Sequence, residues 1–160
     1  GMRGDKSDGD KTVREPMDWY ASQWGPGMTT WYRPALRLNG ALDGISVEEQ
    51  QSKSDSLLEL YRALITLRKS YPALRTGEFI PLEVKDQPQV VAYLRKDPHA
   101  DTFLVVANSG DKAAQFDIDL GWQDEMYLQD AFSPDQIIKA PGNKIPIELA
   151  PRSSRVLVFD

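Results

Sequence analysis

The apolar pattern of this chain changes period once, near residue 77, and that change limits what it can fold into. Upstream, SDSLLELYRALITLRKSY over residues 54–71 sets Leu57, Leu58, Leu60, Tyr61, Leu64, Ile65, Leu67 and Tyr71 at the i, i+3, i+4, i+7 spacing of one broad helical face. Ser56 with Glu59 reads as a capping box, Asp55 suits the positive end of the helix dipole, Arg68 and Lys69 fill the last turn, and Pro72 is expected to stop the helix. Downstream the period is two. Segments 78–85, 89–96, 102–107, 114–120, 125–130, 145–149 and 154–159 read as strands, separated by turn signals such as Asp97-Pro-His-Ala-Asp, Asn108-Ser-Gly-Asp and Pro141-Gly-Asn. The expected fold is mainly β with one long helix, its β part an antiparallel Greek-key sandwich over residues 77–160.

Residues 1–50 follow neither period. Gly4, Gly9, Gly25, Gly27, Gly40 and Gly44 interrupt them, with Pro16, Pro26 and Pro34. Yet Trp19, Trp24 and Trp31, three of the four tryptophans, lie here beside Tyr20 and Tyr32. Disordered segments are poor in aromatics, so a long ordered loop is expected, and ordered loops of that length usually carry function.

Composition removes several classes of function. No strictly apolar run exceeds five residues, far short of the roughly 20 that a membrane-spanning helix needs. Cysteine is absent, which excludes disulfides, zinc–thiolate sites and thiol nucleophiles, and the single histidine, His99, excludes a histidine-rich metal site. A net charge of −5 argues against nucleic acid and anionic membranes as partners.

Among candidate sites, Asp5, Asp8 and Asp10 suggest a calcium loop. Aligning Gly9 to the glycine of such a loop brings Glu15 to the last ligand position but puts Gly4 and Lys6 where carboxylates are required, so a solvated turn is the better account. Glu15 and Asp18 are a carboxylate pair of the type that glycoside hydrolysis uses, but nothing in the sequence sets their separation; structural or orienting roles are expected. The tryptophan cluster fits two readings, aromatic platforms for the C–H faces of sugars or rings that anchor a long loop. His99 sits in an exposed-looking turn, Ser153 and Ser154 lack a nucleophile elbow, and there is no phosphate-binding glycine loop or H-E-x-x-H.

The order of parts resembles the C-terminal end of alpha-amylase-family enzymes, glycoside hydrolase family 13. REPMDW at residues 14–19 is similar to the family's R-x-P-M-x-W element after the eighth barrel strand. SLLELYRALITLRKSYPALRTGEF is similar to the eighth barrel helix and the exit into the C-terminal domain. Oligosaccharide glucosidases and trehalose-synthase-like members are the nearest in kind. The resemblance implies a remnant of the last β/α unit at residues 1–76 (loop 1–50, helix about 54–71), followed by a β-sandwich at 77–160. The family's catalytic carboxylates follow barrel strands four, five and seven, so the resemblance implies no catalytic residue, metal or cofactor in this chain. Of the family motif, Arg14, Pro16, Met17 and Trp19 match; Arg14 is implied to shape a sugar subsite, with Trp19, Trp24 and Trp31 as further substrate-binding candidates. Gly1-Met2 reads either as a cloning scar or as native sequence.

The functional expectation is an accessory portion of an alpha-glucan-acting hydrolase, inactive alone, whose partner is an α-linked oligosaccharide through the parent enzyme. The alternatives are a free-standing carbohydrate-binding module and an interaction subunit docking on a separate barrel. The second has a physical motive: at about 25 cal/mol per Å² of apolar surface, exposing several leucines of the helix costs several kcal/mol. The sandwich, the 1–50 segment or a second copy in a homodimer could cover them.

Overall fold

The computed structural model describes residues 9–10, 13–29, 40–51, 53–122 and 124–159. Asp5, Asp8 and Trp31 lie outside the described residues. Two compact units form, residues 1–65 and residues 66–160.

The second unit is a two-layer β structure. Its strands are β1 (Glu78–Leu82), β2 (Val90–Lys96), β3 (Thr102–Asn108), β4 (Ala114–Asp119), β5 (Met126–Asp130), β6 (Ile137–Ala140), β7 (Lys144–Leu149) and β8 (Ser153–Phe159). Six form a sheet in the order β1-β2-β3-β8-β5-β6, and β4 pairs with β7 in a second sheet. Every pairing is antiparallel. The last strand inserts between β3 and β5, and the chain passes to the small sheet and back twice; this is the expected Greek-key sandwich.

Alternation decides which face each strand buries. In β7, Ile145, Ile147 and Leu149 turn inward while Lys144, Pro146 and Glu148 face water. In β4, Ile118 is buried between exposed Asp117 and Asp119. These residues meet Ala92, Leu94, Leu104, Val106, Leu128 and Leu157 of the large sheet in one core. The outer face of that sheet carries a second, smaller core, where Phe103 and Val156 receive Ala73 and Leu74, with Leu67 and Tyr71 alongside. Tyr71 and Phe103 meet edge to face at 4.9 Å.

Three elements depart from the sequence expectation. The strand β6 was not anticipated: its four residues lie between Pro134 and Pro141 in a turn-like stretch, and they become a strand through pairing with β5, Met126 opposite Ala140 and Leu128 opposite Ile138. The long helix is α2 (Leu57–Ser70), and Pro72 does more than stop it: Pro72 occupies the first turn of a new short helix, α3 (Pro72–Thr76), where its missing N–H costs nothing. Gly77 follows α3 because a Cβ there would meet the Ala73 carbonyl oxygen. A five-residue helix, α1 (Val47–Gln51), interrupts the expected 1–50 loop.

Only half of the expected capping box at α2 forms. The Glu59 amide donates to Ser56 Oγ at 3.3 Å, but the Glu59 carboxylate accepts from Arg62 instead of returning to Ser56. No side chain of α2 is buried: Leu57, Leu60, Tyr61, Leu64 and Ile65 are all exposed, from 39% at Leu64 to 59% at Tyr61.

Candidate functional site

The first unit builds its site by docking a short helix on an irregular loop. The first N–H groups of a helix have no partner within it. In α1 the Val47 amide donates to the Asp18 carbonyl at 2.9 Å and the Glu48 amide to the Trp19 carbonyl at 3.0 Å. The Glu48 side chain completes the clasp, Oε2 accepting from the Ala21 amide at 2.8 Å. Ser46 and Glu49 form a full capping box. The Glu49 amide donates to Ser46 Oγ at 3.2 Å, and the Ser46 amide returns to Glu49 Oε2 at 3.3 Å. Glu49 also accepts from the Ser46 hydroxyl and the Gly44 amide. These donors, the Ser46 hydroxyl first, hold the Glu49 carboxyl below the ordinary glutamate range, with desolvation opposing them.

The loop is tightened by its own turns. The Gln23 amide donates to the Tyr20 carbonyl, the Ser22 hydroxyl to the Trp24 carbonyl and the Tyr20 hydroxyl to the Pro26 carbonyl. Gly25 has no Cβ, which lets the Tyr20 ring lie against its backbone.

Between loop and helix lies an open cleft of about 380 Å³, lined by Trp19, Tyr20, Pro26, Gly27, Val47, Glu48 and Gln51. Trp19 is 50% exposed in its wall. Val47 also lines a smaller apolar hollow of about 250 Å³, with Met17, Ile45, Gln50, Leu57, Leu58 and Tyr61.

The sequence candidates are not gathered together. Arg14 is at the surface, ion-paired with Asp10, and does not line the cleft. Trp24 is half-buried outside the cleft lining. Trp31 lies outside the described residues. Of the carboxylate pair, Asp18 is buried at 1% exposure and Glu15 is half-buried. His99 is exposed in its turn, its amide held by Asp97. Among the described residues, no three His, Asp or Glu side chains are grouped to hold a metal ion.

Sequence reasoning missed Glu48 and Gln51. The signal was present in Ser46-Val-Glu-Glu49, a capping-box pattern that announces a helix start. Their approach to Trp19 was not readable, because it depends on backbone bonds between residues far apart in the sequence, Val47 with Asp18 and Glu48 with Trp19.

Comparison with known proteins gives the family. A sequence profile described as the alpha-amylase catalytic domain matches residues 2–77. The alpha-amylase SusG of Bacteroides thetaiotaomicron is 34% identical over 122 residues, 72% of this chain. This chain belongs to the alpha-amylase family. A probable oligo-1,6-glucosidase of Bacillus subtilis is 39% identical over 85 residues, 53% of this chain. Among solved structures, the alpha-amylase from H. orenii superposes on 99% of this chain with a TM-score of 0.71 and 27% identity. The chain spans 17% of SusG, 15% of the glucosidase and 30% of the H. orenii chain. It is therefore a partial family sequence.

Proposed function

We propose that this chain is the C-terminal accessory portion of an alpha-glucan-acting glycoside hydrolase or transglycosidase, inactive alone. The observation that supports the reading is the chain's make-up: a match to the alpha-amylase catalytic domain ends at residue 77, where a Greek-key sandwich begins. Residues 1–76 are then the remnant of the last β/α unit of the barrel, and 77–160 the sandwich that follows it. In the parent enzyme the reaction proceeds with retention through a glycosyl-enzyme intermediate, on carboxylates outside this chain. In the parent enzyme the REPMDW loop borders the substrate cleft, where Arg14, here at the surface and paired with Asp10, helps to shape a sugar subsite.

The test is turnover. The isolated chain should not hydrolyse maltose, isomaltose, starch or a nitrophenyl glucoside. Hydrolysis abolished by Glu15→Gln or Asp18→Asn would overturn the accessory reading and make the Glu15–Asp18 pair catalytic.

A second reading, an interaction subunit that docks on a separately encoded barrel, draws on the open apolar face of α2. Co-purification with a barrel lacking its own last helix would favour it.

A further inference from the structure

We propose that the cleft between residues 19–27 and α1 binds one glucosyl unit of an α-linked oligosaccharide on the isolated chain, with Trp19 as stacking platform and Glu48 and Gln51 gripping its hydroxyls. The ligand class rests on the alpha-amylase-family reading above; the residues rest on the cleft itself.

A glucosyl ring presents two chemistries. Its face is C–H and apolar, and its rim is a belt of hydroxyls that donate and accept. A site for it needs an aromatic plane under the face and polar groups at the edge. Trp19 supplies the plane: it lines the cleft and is half exposed. Tyr20 also lines the cleft, its hydroxyl already committed to the Pro26 carbonyl.

The edge groups come from one face of α1. Glu48 and Gln51 are three residues apart, so their side chains leave the helix on the same side, and both line the cleft. The bond from the Ala21 amide to Glu48 Oε2 fixes the carboxylate, and Oε1 is the oxygen assigned to accept from a sugar hydroxyl. Gln51, exposed at the helix end, brings both a donor and an acceptor. Neighbouring hydroxyls on a hexose can thus meet an acceptor and a donor without either residue giving up its role in the fold.

The platform is also preorganised. Two amides of α1 hold the Asp18 and Trp19 carbonyls, and Glu48 holds Ala21, so the backbone under the ring is set before a ligand arrives. The volume of about 380 Å³ is near the small end of the roughly 300–1,000 Å³ common for ligand pockets, which suits one sugar unit with the rest of the oligosaccharide running out through the open side.

The experiment uses the full chain with maltotriose and isomaltotriose. Affinity is read for every variant by saturation transfer to the sugar protons, and the site by the shift of the Trp19 indole N–H in the unaltered chain. A saturable shift of that N–H is expected. Trp19→Ala should weaken binding about tenfold or more. Glu48→Gln should weaken it several-fold while keeping the fold, since an amide oxygen still accepts from Ala21; Gln51→Ala, at an exposed position, should act likewise. Tyr127→Ala, an exposed ring on the sandwich, should leave it unchanged. No saturable shift in the unaltered chain overturns the proposal. So does equal weakening by Tyr127→Ala, or full affinity in both Glu48→Gln and Gln51→Ala. Turnover reports separately on the accessory reading: an active chain without sugar contact at Trp19 removes both ideas, and an inactive chain without it removes this one alone.

Discussion

Replacing Leu60 and Leu157 by alanine, one at a time, measures whether the apolar face of α2 is open. Leu157 has no exposed surface and lies in the main core on β8, the strand that joins the two halves of the large sheet. Truncating such a leucine loses its transfer free energy and leaves a cavity, a cost of about 2–5 kcal/mol. Leu60 is 49% exposed. Full burial of a leucine stabilises by about 1.5–3 kcal/mol, so Leu60 has at most about half of that to lose, and alanine returns some helix propensity; the expected cost is below about 1 kcal/mol. Urea unfolding followed by circular dichroism, run at low and high protein concentration, gives both numbers. If Leu60→Ala costs as much as Leu157→Ala, the face is covered; if the midpoint of the unaltered chain also rises with concentration, a homodimer through α2 is the covering. That result would refute the account of α2 as a helix without its neighbours.

Two further outcomes follow from polar contacts. Glu49 has a folded pKa below its ordinary value of 4.5, so its support of α1 is complete above that value and is lost as pH falls through the folded pKa. Amide protection at Val47 and Glu48 should therefore drop in acid, and Glu49→Gln should flatten the dependence; protection independent of pH in the unaltered chain would exclude the capping role. In the sandwich, Arg155 Nε donates to Asp130 Oδ2 at 2.9 Å, with side-chain exposures of 21% and 9%. Arg155→Leu leaves the buried Asp130 carboxylate with the Phe132 amide as its remaining partner among the described residues, and should cost about 3 kcal/mol in urea unfolding; a loss well under 1 kcal/mol would mean that water reaches Asp130 in its place.

The long helix and most strands were legible from the period of their apolar residues. Leu57 to Leu67 repeat at helical spacing, and FDIDL alternates as a half-solvated strand must. The misses share one property, that their conformation is decided by a partner. Ile137–Ala140 is extended because Met126–Gln129 lies beside it. Pro72, read as a stop, starts α3, whose Ala73 and Leu74 have a place to go only against Phe103 and Val156.

The candidate site divides in the same way. Sequence alone fixed the aromatic content of residues 19–32, the absence of cysteine chemistry and the family resemblance carried by REPMDW and the helix that follows. These are properties of residue type and order, and they survive any arrangement in space. Only the tertiary structure decided that Trp19 is open while Trp24 is not in the same cleft, that Arg14 turns to Asp10, and that Glu48 and Gln51 line one cleft with the tryptophan. The reason is that unpaired N–H groups at the start of α1 must find carbonyls. They find those of Asp18 and Trp19, far back in the chain, and no local pattern encodes that meeting.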